Sequence, residues 1–147
     1  MKRYPVYILF LISFVLIAFS PEADLNDAET LKWETLAKVE WIWDDNFYRV
    51  EFNEDQKALD GKELIVEGFM FPLEYSRKHT TFLVSSAPMS DCFFCGPGEA
   101  ESMVYVKTET PVEYSYSKMA VKGTFKLVSD ASMGIIYELE EAEVISQ

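Results

Sequence analysis

The amino-acid sequence predicts a mostly β protein: a five-stranded, OB-like antiparallel barrel with a short N-terminal helix and a long cysteine-containing loop. Three observations predict it. Five segments rich in β-branched and aromatic residues follow one another after Gly61, each bounded by Gly, Pro, Ser or Asp. Within them apolar and polar residues alternate, so each buries one face only. Gly68 and Gly123 stand inside the first and fourth segments, where a missing side chain marks a bulge or a barrel corner.

From the N-terminus, Lys2 and Arg3 precede an uncharged run from Tyr4 to Ser20, and acidic residues begin at Glu22. This is the pattern of a secretory signal, and residues 1–23 are expected to be one. The apolar stretch Val6–Phe19 counts 14 residues, short of the roughly 20 that a helix needs to cross a bilayer. Pro21 makes a poor cleavage site, so an uncleaved N-terminal anchor is the rival reading. No Cys ends the apolar run, which leaves a lipid anchor unsupported. Residues 24–147 are then a single OB-like β domain, exported to the periplasm or secreted, and touching a membrane only if the N-terminal segment stays attached.

A short helix is expected from Asn26, which can cap it with Glu29 three residues on, and Leu31, Leu36 and Val39 as buried positions. Val39, Trp41 and Trp43 then alternate with Glu40, Ile42 and Asp44, and Tyr48, Val50 and Phe52 with Arg49, Glu51 and Asn53, a period of two that suits extended structure. The tryptophans are read as core or rim residues. Asp60-Gly61 marks a turn. The five barrel strands follow as Lys62–Leu73, Thr80–Ser86, Met103–Thr108, Lys118–Ser129 and Gly134–Ile145. Val121, Gly123, Phe125 and Leu127 form the inward set of the fourth, with Lys122, Thr124 and Lys126 outward. Pro111 and the alternation of Val112, Tyr114 and Tyr116 exclude a helix between the third and fourth strands.

Charge narrows the function. The 147 residues carry 13 Lys+Arg against 25 Asp+Glu, a formal charge of -12, which repels phosphate backbones and anionic membranes. Nucleic acid is not an expected partner. With a single His, Ser-His-Asp and similar hydrolytic arrangements lose their base. Gly96-Pro97-Gly98 lacks the Lys and the helix that a phosphate loop needs.

Chemistry concentrates in Ala87–Ser102, 16 residues without periodicity that hold both cysteines, Cys92 and Cys95. Two thiols three positions apart can close a small disulfide, chelate a soft or borderline ion such as zinc or copper(I), or exchange disulfides. Redox exchange is disfavoured because Cys95 runs into Gly96-Pro97-Gly98 instead of opening a helix that would lower a thiol pKa. Covalent haem needs His after the second Cys, where Gly96 stands. A metal needs further ligands. Asp91, Glu99 and Glu101 are near in sequence. His79 precedes a strand of about 20 Å whose far end launches the loop, which makes it the weaker candidate; as a lone His it reads otherwise as a surface turn residue.

The residues resemble a family of small exported bacterial proteins known only as a domain of unknown function and related to OB-type barrels. The resemblance spans roughly Leu31 to Ile145. It rests on Trp33 with Leu36, on Leu59-Asp60-Gly61-Lys62, on Val66-Glu67-Gly68-Phe69-Met70-Phe71-Pro72-Leu73-Glu74, on Phe82-Leu83-Val84 and on Val121-Lys122-Gly123-Thr124-Phe125. In that family a Cys, one residue and a His precede a run of prolines. Here Cys92 matches the Cys, Phe94 stands in place of the His, Cys95 follows, and Gly96-Pro97-Gly98 replaces the prolines. Such relatives resemble accessory proteins of envelope transport, which implies metal handling and an envelope protein or transporter component as partner. The expected function is thus a non-enzymatic binding or accessory protein of the envelope, holding zinc or copper through Cys92 and Cys95. An interaction module with a structural disulfide and exposed aromatics is the alternative, and a thiol oxidoreductase the only enzymatic one.

Overall fold

A computed structural model describes residues 28–45, 47–88, 99–129 and 134–147. The chain runs β1 (Glu29–Thr30), α1 (Trp33–Leu36), β2 (Glu40–Asp44), β3 (Phe47–Glu51), α2 (Glu54–Lys57), β4 (Glu63–Pro72), β5 (Lys78–Ser85), a 3-10 turn (Ala100–Ser102), β6 (Met103–Glu113), β7 (Lys118–Leu127) and β8 (Tyr137–Ser146).

Strands β4 to β8 close on themselves. The order is β4-β5-β6-β8-β7, and β7 returns to β4. All neighbours are antiparallel except β6 and β8. Counted from β4, the cycle is first, second, third, fifth, fourth, first: the five-stranded barrel expected from the sequence, with OB connectivity. The strand boundaries agree within a few residues, except that β6 continues past Thr108 to Glu113. No helix separates β6 from β7.

Alternation places Leu64, Val66, Phe82, Val84, Val121 and Phe125 in the core, each buried, and their removal from water is the main driving force for closure. The two internal glycines act as predicted. A Cβ at Gly68 would strike the Ser85 carbonyl, at the point where β4, already paired with β7, also takes up β5. A Cβ at Gly123 would strike the Glu140 carbonyl, where the register of β8 slips against β7. Gly61 has φ +77 in the turn before β4, a conformation that costs glycine little. Lys122 lies on the outer face as expected, yet it is buried there, its Nζ 3.5 Å from Glu63.

The N-terminal lead-in departs from expectation. Glu29–Thr30 is a strand, parallel to β4 at Leu64 and Ile65, and the helix begins only at Trp33. Backbone pairing with the edge of β4 that β5 does not reach outcompetes a helix of marginal length. Leu31 and Leu36 are buried and Val39 packs against the core, as the spacing suggested; Asn26 lies outside the described residues. Trp33 secures α1 by donating from Nε1 to the Glu67 carbonyl at 2.8 Å. Among the described residues no helix is long and apolar enough to cross a membrane, and the segment read as a signal lies outside them.

Candidate functional site

Barrel connectivity sorts the loops by end. The β4–β5 and β6–β7 connections lie at one end. The β5–β6 and β7–β8 connections lie at the other, with α1, α2 and the root of the β2–β3 hairpin. Cys92, Cys95 and Asp91 belong to the β5–β6 connection but fall outside the described residues. Glu99 is described: it is exposed, and its carbonyl accepts from the backbone and hydroxyl of Ser102, at 2.9 and 2.7 Å. His79 stands near the start of β5, whose other end launches that connection. It is not a surface turn residue. It is completely buried within the strand, opposite Val112 of β6, because β5 begins two residues before the position read from the sequence. Among the described residues no group of three His, Cys, Asp or Glu side chains is arranged to hold a metal ion.

The end that carries α1 and α2 is closed by a polar knot. Asn53 caps α2, its Oδ1 accepting from the Gln56 backbone at 2.9 Å, while Gln56 Oε1 accepts from the Asn53 backbone at 3.0 Å. The Gln56 amide nitrogen turns inward to Thr35 O, Leu36 O and the Tyr137 hydroxyl, each at 3.1 Å. Tyr137 in turn donates to Leu36 O at 2.8 Å. Burial, with Glu101 a lesser influence, pushes the Tyr137 hydroxyl well above the ordinary tyrosine value. Asn53-x-x-Gln56 is a capping signature visible in the sequence, and the sequence reading passed over it.

Above this knot rises the hairpin. Among the described residues β2 and β3 pair only with each other, with Trp41 opposite Val50 and Trp43 opposite Tyr48. Facing residues share one side of a ribbon. Exposure climbs along that side, from 5% at Val50 through 39% at Trp41 to 58% at Trp43 and 61% at Tyr48; Phe47, on the opposite side near the tip, reaches 60%. Trp43 and Tyr48 meet edge to face, ring centroids 4.9 Å apart, which presets the pair without covering it. The period-two pattern located these strands, but only the docking of Val39, Val50 and Phe52 on the core decides that the tip projects. Thus Trp33 is a core-edge residue and Trp43 a surface one.

Asp45 stands at the tip, while Glu40 and Glu51 face each other at the base of the hairpin, on the side away from Trp43 and Tyr48, where Glu51 holds Arg49 at 3.2 Å. Such a surface attracts cations and basic side chains.

The fold and this geometry define the class: a small closed β barrel of OB connectivity from which one aromatic, acid-flanked hairpin projects. A family model described as "Protein of unknown function (DUF3299)" matches residues 23–145, and the chain belongs to that family. The match agrees with the resemblance to a domain of unknown function and carries no activity with it. No curated protein matches the chain. The chain is also similar to the crystal structure of a DUF3299 family protein from Pseudomonas aeruginosa PAO1, at 26% identity over 67% of this chain and 68% of that one, with a TM-score of 0.46.

Proposed function

We propose that this protein is a non-enzymatic accessory module of the cell envelope that docks a basic partner protein through the tip of the β2–β3 hairpin. The observation that carries the reading is the exposure of Trp43, Phe47 and Tyr48 on strands that, among the described residues, pair with no other element. Aromatic side chains are the usual anchors of protein interfaces. Left in water they contribute little to folding, so three at one tip ask for a partner. Asp45 at the tip and the chain's formal charge of -12 select its charge: Lys or Arg interleaved with apolar residues satisfies both the negative field and the ring faces. The barrel already contains one such arrangement, Lys107 over the Tyr105 ring at 5.6 Å with its ammonium on Glu138 and Glu140.

A photo-crosslinking residue at position 48 of the full chain, expressed in its cell of origin, tests this. The trapped protein, once purified, is expected to bind the native chain and to lose at least about tenfold in affinity for Trp43→Ser/Tyr48→Ser. That variant should unfold within about 0.5 kcal/mol of the native chain, since its side chains are exposed. The reading falls if nothing is trapped or if the trapped protein binds both forms alike.

A second reading rests on the spacing of Cys92 and Cys95, which suits two thiolates on one zinc or copper(I) ion, with Asp91 or Glu99 able to add a carboxylate. His79, buried at the opposite end of β5, takes no part in it. Native protein prepared without chelators is expected to carry metal by elemental analysis and to release two thiols on its removal. Absent metal together with absent free thiols would identify the pair as a disulfide and end this reading.

A further inference from the structure

We propose that the partner of the β2–β3 hairpin docks as a third strand: an extended segment of alternating basic and apolar residues that pairs along the free edge of β2. This rests on the hairpin reading above and states what fills that site. Among the described residues each of the two strands has one neighbour, so each keeps one edge where alternate backbone N–H and C=O groups face outward. A two-stranded ribbon is marginal in water by itself. Val39, Val50 and Phe52 fix its root on the core, while Trp43, Phe47 and Tyr48 in its outer half stand exposed. The same chain fills such an edge elsewhere. The side of β4 that β5 does not reach takes up Glu29–Thr30, and Leu31 N continues the pairing to Ile65 O at 2.8 Å.

Composition and charge choose β2 over β3. β2 reads Glu-Trp-Ile-Trp-Asp, with neither the Lys nor the Pro that blunts an exposed edge, whereas β3 carries Arg49. Register divides the ribbon into two faces: Trp41, Trp43, Tyr48 and Val50 share one, and Glu40, Ile42, Arg49 and Glu51 the other. On the second face Glu40 stands directly opposite Glu51, a like-charge pair that weakens a ladder. Arg49 relieves one member, reaching Glu51 at 3.2 Å. Glu40 has no ion-pair partner among the described residues.

An added strand answers both faces at once, because its side chains alternate. A Lys or Arg opposite Glu40 supplies the missing cation, and apolar residues opposite Trp41 and Trp43 extend the aromatic face. An acidic segment would add to the repulsion at Glu40. A second copy of the chain meets its own formal charge of -12. In this mode main-chain hydrogen bonds along β2 supply affinity, and the alternation of basic and apolar side chains supplies specificity.

Two capped heptapeptides of equal composition test this on the full chain by NMR: Val-Lys-Val-Lys-Val-Lys-Val and the block sequence Val-Val-Val-Val-Lys-Lys-Lys. The alternating peptide is expected to saturate and to bind at least about tenfold tighter than the block peptide. It should slow hydrogen exchange at the outward amides of β2 and not at those of β3. Glu40→Gln should weaken it about threefold, whereas Glu138→Gln, at a carboxylate already paired with Lys107 on the barrel, should leave it unchanged. Equal affinity of the two peptides, no saturation by the alternating one, or exchange unaltered in β2 or slowed on β3 instead overturns the added strand. The hairpin reading then still stands, since it is judged by the crosslinked protein. Protection of β2 that grows with protein concentration in the absence of peptide would assign the edge to a second copy and likewise overturn the proposal.

Discussion

Gln56 and His79 are both polar, both completely buried, and differ in everything else. Gln56 spends its side chain on four partners: the Asn53 backbone, Thr35 O, Leu36 O and the Tyr137 hydroxyl. His79 spends its ring on none. They mark the two ends of the barrel. At the end of Gln56 the polar atoms of two short helices and of β8 satisfy one another, so that end is settled in the free protein. At the end of His79, β6 and β8 part beyond Thr108 and Ala142 beside Glu109, Glu141 and Glu143, which have no ion-pair partner among the described residues, so hydrogen-bonding capacity is left over. The difference teaches that burial alone does not identify a structural residue. Whether a buried polar atom is satisfied separates a group that holds the fold from one that the fold carries at a cost.

Substitutions can break that contrast. Gln56→Ala is expected to have the largest effect, a loss of about 3 kcal/mol in urea unfolding, because it removes half of the capping box of α2 and the buried amide that bonds Thr35 O, Leu36 O and the Tyr137 hydroxyl. A loss under about 1 kcal/mol would mean that the knot does not hold this end.

Next comes alkaline pH. Burial raises the Tyr137 hydroxyl above its ordinary value of 10.0. Below that value both folded and unfolded chains keep the proton and stability is complete; above it the unfolded chain ionises first, and stability falls by up to about 1.4 kcal/mol per pH unit. Tyr137→Phe should flatten this alkaline limb. The flattening is partial, since Tyr114, raised by burial and by neighbouring Tyr116, and Lys107, raised chiefly by its hydrogen bond to Glu138, act in the same direction. An unchanged slope would show that Tyr137 is not protected in the fold.

The smallest expected effect has the opposite sign. His79→Leu replaces an unpartnered ring with an apolar side chain and should stabilise the protein by about 1 kcal/mol. Destabilisation beyond about 2 kcal/mol would reveal a partner for the imidazole and dissolve the comparison.

Legibility followed the range of the interactions. The inward series Val121, Gly123, Phe125, with Lys122 and Thr124 between, announces its strand because side-chain direction alternates with the backbone. Gly68 and Gly123 were legible as bends for a steric reason that holds in any fold. The helix at Asn26 was misplaced because its best rival, pairing of Glu29 and Thr30 with β4, lies more than thirty positions away in the sequence. α2 was overlooked although Asn53 and Gln56 spell its cap, since four residues make no periodic signal. His79 was misjudged for a similar reason: one polar residue ahead of an apolar run reads as a turn until the ladder with Val112 draws it inside.

By itself, then, the sequence determined the strand content, the bends, the acidic surface and the pair of cysteines, because these depend on local sterics, on alternation and on counting charges. Only the tertiary structure decided that the barrel closes through parallel β6 and β8, that Trp43 and Tyr48 project while Trp33 is tucked against β4, and that the His79 imidazole is buried without a hydrogen-bond partner. Each of those depends on contacts between residues far apart in the chain, and no local preference encodes which distant strand will arrive or in what register.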